Sequence, residues 1–241
     1  MSRGYGDFCP VAKTAELFAQ RWTPLIVREL LLGPKGFGDL KTALALMSRS
    51  MLAARLKELE ASGIITPTVL PPDGRKVYCL TEAGEAFRAV IEHLSIWGQT
   101  YAQDQVGPGD LNPTGLLWAM KTHAHDIELP PEPFVVEFEL RGIPRGQTQR
   151  RRWWLLLRQP EIEVCLKWPG YETDVLVRAE LGALTRCWLG YLGCREAEAG
   201  DLIAFEGNPA ATRRCKALLG FGDAPHLRRL AFFRPEAALA A

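Results

Sequence analysis

The chain has 241 residues, 47% of them hydrophobic and 24% charged, an ordinary balance for a water-exposed folded protein of one large or two small domains. Its 29 basic and 28 acidic residues leave a net charge of +1, so bulk charge argues for no polyanionic partner and any such case must rest on local clusters. The cysteines (Cys9, Cys79, Cys165, Cys187, Cys194, Cys215) form no CxxC pair, and the strongest apolar run, WWLLL at Trp153–Leu157, is far too short to span a bilayer. No secretory signal is visible, so reduced thiols, a cytoplasmic location and no membrane partner are expected.

The first helix is expected from Pro10 to about Ala19, because proline suits the first helical position, where its missing N–H would be unpaired anyway. A second runs from Thr23 or Pro24 to Leu32 and is stopped by GPKG; a short third covers roughly Phe37–Leu44. The fourth spans Ser48–Ala61, with the Ser48 hydroxyl as N-cap and Ser62-Gly63 as the stop. Two strands follow, about Ile64–Leu70 and Lys76–Leu80, joined by PPDG, whose Asp-Gly supplies the positive φ of a tight turn. A long helix is then expected from near Thr81 to about Ala102, with Phe87, Val90, Ile91, Leu94, Trp97 and Tyr101 on one face.

Composition shifts at DQVGPGDLNP, Asp104–Pro113, which reads as a linker, followed by a helix near Thr114–His123 and a second break at ELPPEP. Beyond Phe134 the segments FVVEFEL, RRWWLLLR, IEVCLKW and TDVLVRA read as strands. Helices are expected at about Leu181–Leu189 and Pro209–Leu219, with a short strand LIAFEG between them. The expected organisation is α+β: an N-terminal domain over 1–105, a linker with a helix over 106–133, and a C-terminal α+β domain over 134–235.

On a helical wheel, Leu52, Leu56 and Leu59 fall together and must face the core. Ser50, Ala53, Ala54 and Lys57 fall opposite, flanked by Arg49 and Arg55, and no acidic residue stands between Ser48 and Lys57. A helix fits the DNA major groove and small side chains permit close approach; Arg pairs bidentately with guanine, Ser bonds several base edges, and an Ala methyl meets the thymine methyl. Arg75 and Lys76 at the hairpin tip would reach phosphate or the minor groove beside it. The candidate contacts to double-stranded DNA are thus Ser48, Arg49, Ser50, Ala53, Ala54, Arg55, Lys57, Arg75 and Lys76, on a winged helix-turn-helix.

Three segments, CPVAKTAELFAQRWTPLIVRELLLGPKGFGDL (Cys9–Leu40), MSRSMLAARLKELEASGII (Met47–Ile65) and YCLTEAGEAFRAVIEHLSIWG (Tyr78–Gly98), resemble the HxlR-type regulators, a branch of the MarR-like winged-helix repressors. The resemblance covers about the first 100 residues and implies a homodimer, formed through the first and last helices, on a pseudo-palindromic operator. Gly36 departs from it, since the family usually carries a basic residue before Phe37, so one phosphate contact is in doubt. Some relatives sense electrophiles or oxidants with a cysteine at the position of Cys9, where a helix N-terminus stabilises a thiolate. The remaining segment, through LGALTRCWLGYLGCREAEAGDLIAFEGNPAATRRCKALLGF (Leu181–Phe221), is more loosely similar to the sterol carrier protein 2 fold, whose members hold apolar molecules in a tunnel.

Trp118, Trp153, Trp154, Trp168 and Trp188 exceed the aromatic content of an ordinary core of this size, so a cavity between the sheet and its helices is expected. It should take a neutral or weakly charged apolar effector, because no cluster of basic residues marks an anion site. RRRWW at Arg150–Trp154 mixes base with aromatic as single-stranded nucleic-acid sites do, but reads better as the start of a strand. His123 and His125 point about 200° apart on a helix, with no third ligand at metal spacing, so no metal is expected. No catalytic triad, phosphate loop or dinucleotide motif is present, so neither an enzyme nor a cofactor is expected. The expected function is a dimeric DNA-binding repressor modulated by an apolar effector; the alternative is a lipid or small-molecule carrier whose winged helix serves dimerisation only.

Overall fold

The computed structural model describes residues 4–44, 46–71, 74–124, 129–146, 148, 150–159 and 161–222. The chain divides between Ile96 and Trp97 into two compact units. The first opens with α1 (Pro10–Phe18), α2 (Thr23–Leu31), α3 (Phe37–Ala43) and α4 (Arg49–Ala61). Trp22 starts α2 from the left-handed region at φ 79°, costly for a bulky side chain, and its carbonyl accepts from Ile26 N–H at 2.9 Å to close the first turn. The hairpin of β1 (Ile65–Leu70) and β2 (Arg75–Leu80) is antiparallel, Ile65 facing Leu80 and Leu70 facing Arg75. Lys35 adds a bridge to Tyr78, so the segment before α3 is pinned to the hairpin. Pro72 and Asp73 of the expected Asp-Gly turn lie outside the described residues; Gly74 has φ 67°.

The single long helix expected from Thr81 is two. α5 (Glu82–Glu85) is capped by Thr81, whose hydroxyl accepts from Gly84 N–H at 3.2 Å, and α6 (Arg88–Tyr101) follows after a break at Ala86–Phe87. The break has two causes. Thr81 is bound back to the start of the hairpin, donating to Gly63 O at 2.6 Å, and Gly84 packs so closely there that a Cβ would lie 2.2 Å from Ile64 O. Phe87 is thereby turned onto Phe18, the rings stacked at 4.3 Å. Of the apolar stripe, Ile91 is buried, whereas Val90, Leu94, Trp97 and Tyr101 are exposed.

Between α6 and α7 (Pro113–Ala124) lie two 3₁₀ turns, Gln103–Gln105 and Pro108–Asp110. The second unit continues with β3 (Phe134–Arg141), β4 (Arg152–Arg158), β5 (Glu161–Cys165), β6 (Val175–Glu180), α8 (Leu181–Leu189), α9 (Cys194–Ala199), β7 (Ile203–Gly207) and α10 (Pro209–Leu219). The strand order is β5-β4-β3-β6-β7, with β3 parallel to β6 and the other neighbours antiparallel. Alternation along the strands decides what faces what. Phe134, Val136, Phe138 and Leu140 of β3 and Trp153, Leu155 and Leu157 of β4 share a core with Leu184 and Trp188 of α8 and with Cys215 and Leu219 of α10. Leu116, Leu117 and Met120 of α7, a helix the sequence places in a linker, lie in that same core. The opposite face carries a small cluster of Val135, Trp154 and Leu156, and a charged ladder in which Arg152 meets Glu137 at 3.2 Å and Glu139 at 3.4 Å. Among the described residues no helix is long and apolar enough to cross a membrane.

Candidate nucleic-acid interface

α4 is set by its two faces. Leu52, Leu56 and Leu59 are buried, each contributing about 1.5–3 kcal/mol relative to exposure. The remaining surface is therefore held outward: Ser48, Arg49, Ser50, Ala53, Ala54 and Lys57 are all exposed. The Ser48 hydroxyl accepts from Met51 N–H at 3.2 Å and lies 3.2 Å from Ser50 Oγ, so it is occupied in capping the helix. Arg49 and Lys57 make no ion pair among the described residues.

Arg55 is placed differently from its neighbours. It is half-buried, its Nη1 donates to Glu58 Oε2 at 2.6 Å and to the side-chain carbonyl of Gln20 on the α1–α2 connection, and its Nε is buried without a partner. At the hairpin, Arg75 Nη1 reaches Asp39 Oδ2 at 3.2 Å, and that carboxylate also accepts from Gly36 N–H at 2.9 Å. Both partners are about half exposed, so the pair is worth at most about 1 kcal/mol. Its effect is positional: the carboxylate that closes the start of α3 also steers the hairpin. Gly36 is the N-cap of α3, with Lys76 O 3.6 Å from where its Cβ would stand. Lys76 is exposed, its ammonium 6.0 Å from the Tyr78 ring.

Sequence reasoning had no signal for Gln20 or Asp39, which act from 35 and 36 residues away through single side-chain contacts. It also passed over Leu46 and Met51, exposed at 90% and 46% around the start of α4.

Cys9 stands at the N-cap position of α1, half-buried, its N–H donated to Asp7 Oδ1 at 3.0 Å. All six cysteines are free. Burial pushes the Cys187 and Cys215 thiols up to about 12, and burial with the Glu163 charge raises Cys165. The five tryptophans do not converge. Trp153 and Trp188 share the sheet–helix core, Trp154 lies on the other face of the sheet, and Trp118 and Trp168 are exposed at 45% and 65%. The His123 side chain and His125 lie outside the described residues, and no group able to hold a metal ion occurs among those described.

The family model described as HxlR-like helix-turn-helix matches residues 17–106. Over 104 residues the chain is 39% identical to the HTH-type transcriptional regulator YodB of Bacillus subtilis (strain 168), covering 42% of this chain and 89% of that one. It is 34% identical over 93 residues to the uncharacterised HTH-type transcriptional regulator YvaP of the same strain, covering 38% and 86%. A solved structure of the reduced form of YodB from B. subtilis aligns with 36% identity over 41% of this chain and 98% of that one, at a TM-score of 0.36. The family match ends before α7, so the five-stranded sheet lies beyond it.

Proposed function

Because the chain belongs to the HxlR-like helix-turn-helix family, we propose that it is a transcriptional regulator that binds double-stranded operator DNA as a homodimer and represses from it. One observation carries this reading: α4 buries its leucine face and presents Arg49, Ser50, Ala53, Ala54 and Lys57 outward, beside a hairpin tipped by Arg75 and Lys76. Arg49 and Ser50 would read base edges; Arg75 and Lys76 would hold phosphate. Arg55 belongs in this reading as a residue that sets the pitch of α4 rather than one that reads a base.

Dimerisation is supported by what a single chain leaves uncovered: Val90, Leu94, Trp97 and Tyr101 on α6, and Phe8 and Val11 at α1, exposed at 96% and 75%. Covering exposed apolar side chains of this size is favourable in water. Operator binding is tested by footprinting the protein on the DNA upstream of its own gene and titrating salt. Affinity that falls steeply with salt, on a protected palindrome, is the expected result; salt-independent or absent binding would leave the carrier reading.

For the second unit the reading is an effector domain of sterol carrier type acting in the cytoplasm. A mixed sheet with α7, α8 and α10 packed on one face, and the sequence likeness over Leu181–Phe221, support it. An effector would act by binding one spacing of the two α4 helices better than another. Cys9, at the start of α1, is the candidate thiol for electrophile or oxidant sensing.

A further inference from the structure

The stretch from β3 to β4 carries Arg141, Arg145, Arg150, Arg151 and Arg152 within twelve residues. Arg152 is paired with Glu137 and Glu139. The other four meet no carboxylate within ion-pair distance among the described residues. Arg141 donates to Asp201 O and Arg150 to Leu166 O. Backbone carbonyls hold a guanidinium's direction without cancelling its charge, so these two are aimed but not neutralised. Together with Arg151 and Thr148 they line a concavity of about 460 Å³ at which Ile143 is the half-buried apolar side chain, Leu140 being committed to the sheet–helix core. The adjacent Glu180 lies so close to Gly142 that a Cβ there would stand 2.3 Å from its Oε1, and its other oxygen is occupied capping α8, accepting from Ala183 N–H at 2.7 Å.

We infer that this concavity is a binding site for a small organic anion, a carboxylate or phosphate ester attached to an apolar group. Its volume is that of a small-molecule site. Guanidinium groups match carboxylate and phosphate in two-point geometry. Ile143, half-buried, supplies apolar contact that a duplex backbone has no use for. Such a site would take a charged effector, where the sequence led to the expectation of a neutral or weakly charged one.

The test uses the full chain in calorimetric titrations with octanoate, benzoate and hexyl phosphate, against octanamide, benzamide and hexanol. At least one anion should bind, with its neutral counterpart about tenfold weaker or worse. Arg151→Ala should weaken that anion about tenfold, and Arg145→Ala, outside the lining, should leave it within about twofold. Arg151 is exposed and makes no ion pair among the described residues, so R151A is expected to fold, and an unchanged melting curve will show it. Binding of none of the three anions, equal binding of the neutral compounds, or an unaffected R151A would each overturn the proposal. So would Arg145→Ala and Arg151→Ala flattening the salt dependence of operator binding while no anion binds, since the loop would then be a DNA contact. Binding is read without DNA, so its failure leaves the operator reading standing, and failure of operator binding leaves this site standing.

Discussion

Arg55 of α4 donates a hydrogen bond to the side-chain carbonyl of Gln20, so one arginine of the basic helix is turned inward while Arg49, less than two turns away, faces out. The two should fail differently when truncated. Arg49→Ala should weaken operator binding by about 1–3 kcal/mol and relax specificity at one base pair, with unfolding in urea unchanged. Arg55→Ala should lower the unfolding midpoint by about 1–2 kcal/mol of stability, through the lost bonds to Gln20 and Glu58, and weaken all DNA sequences alike. Mobility shifts on operator variants, beside urea melts of each variant, separate the two.

At the hairpin, Arg75→Ala and Lys76→Ala should each weaken binding evenly across sequences and reduce the slope of log affinity against log salt by about one. Asp39→Asn should keep the charge of Arg75 but loosen its direction, lowering affinity with the salt slope retained. A steeper loss on one base pair only would reassign Arg75 to base reading.

The separation of faces on α4 was legible because Leu52, Leu56 and Leu59 recur at helical spacing and burial follows that spacing directly. The strands of the second unit were legible for the matching reason: alternation at Phe134–Leu140 is a local property. The break at Ala86–Phe87 was not, because helical periodicity runs through it and its causes are a long-range bond from Thr81 and a close approach of Gly84. The sheet order was not either, since β6 reaches its place by passing over β4 and β5 to pair with β3. The arginine cluster stood in plain view, but only the carbonyl partners of Arg141 and Arg150 separate a bare charge from an ion-paired surface.

Gly84→Ala should destabilise the first unit by more than the usual helix gain of alanine, because its Cβ would meet the Ile64 carbonyl at 2.2 Å, a backbone atom that cannot rotate away. A loss of about 1–3 kcal/mol in urea unfolding is expected. Gly38→Ala, with nothing within 4 Å of the added atom, is the matched control and should be neutral or slightly stabilising.

The exposed strip on α6 should sediment as a dimer interface. Leu94→Glu together with Trp97→Glu, at positions exposed in the single chain, should yield a folded monomer by analytical ultracentrifugation, with operator affinity falling at least about a hundredfold because two half-sites no longer bind as one. A wild-type monomer at micromolar concentration would contradict the assembly.

The buried thiols set an alkaline limit. Cys187 and Cys215 are held up to about 12 when folded, above the usual thiol range near 8.5, so between those values the unfolded chain loses protons that the folded chain keeps. Stability is therefore fully present below about pH 8.5 and falls as pH rises toward 12, by at most about 1.4 kcal/mol per pH unit for each thiol. Urea unfolding from pH 8 to 11 measures it; Cys215→Ala should flatten the curve. At pH 7, brief alkylation followed by mass spectrometry should label Cys9 well before Cys187 and Cys215 if Cys9 is the sensing thiol.

The parallel pairing of β3 with β6 also governs what emerges from the ribosome. The hairpin strands β1 and β2 are near in sequence, so each has its strand partner as soon as β2 is made. β3 does not: with β4 and β5 added it is still open along one side until Val175–Glu180 arrives to face Val136–Arg141. A nascent chain stalled after Cys165 thus presents a three-stranded meander with an unpaired inner edge, the form most prone to stick to its neighbours. Synthesis through β6 closes that edge of β3, and Ile203–Gly207 must follow to cover the far edge of β6.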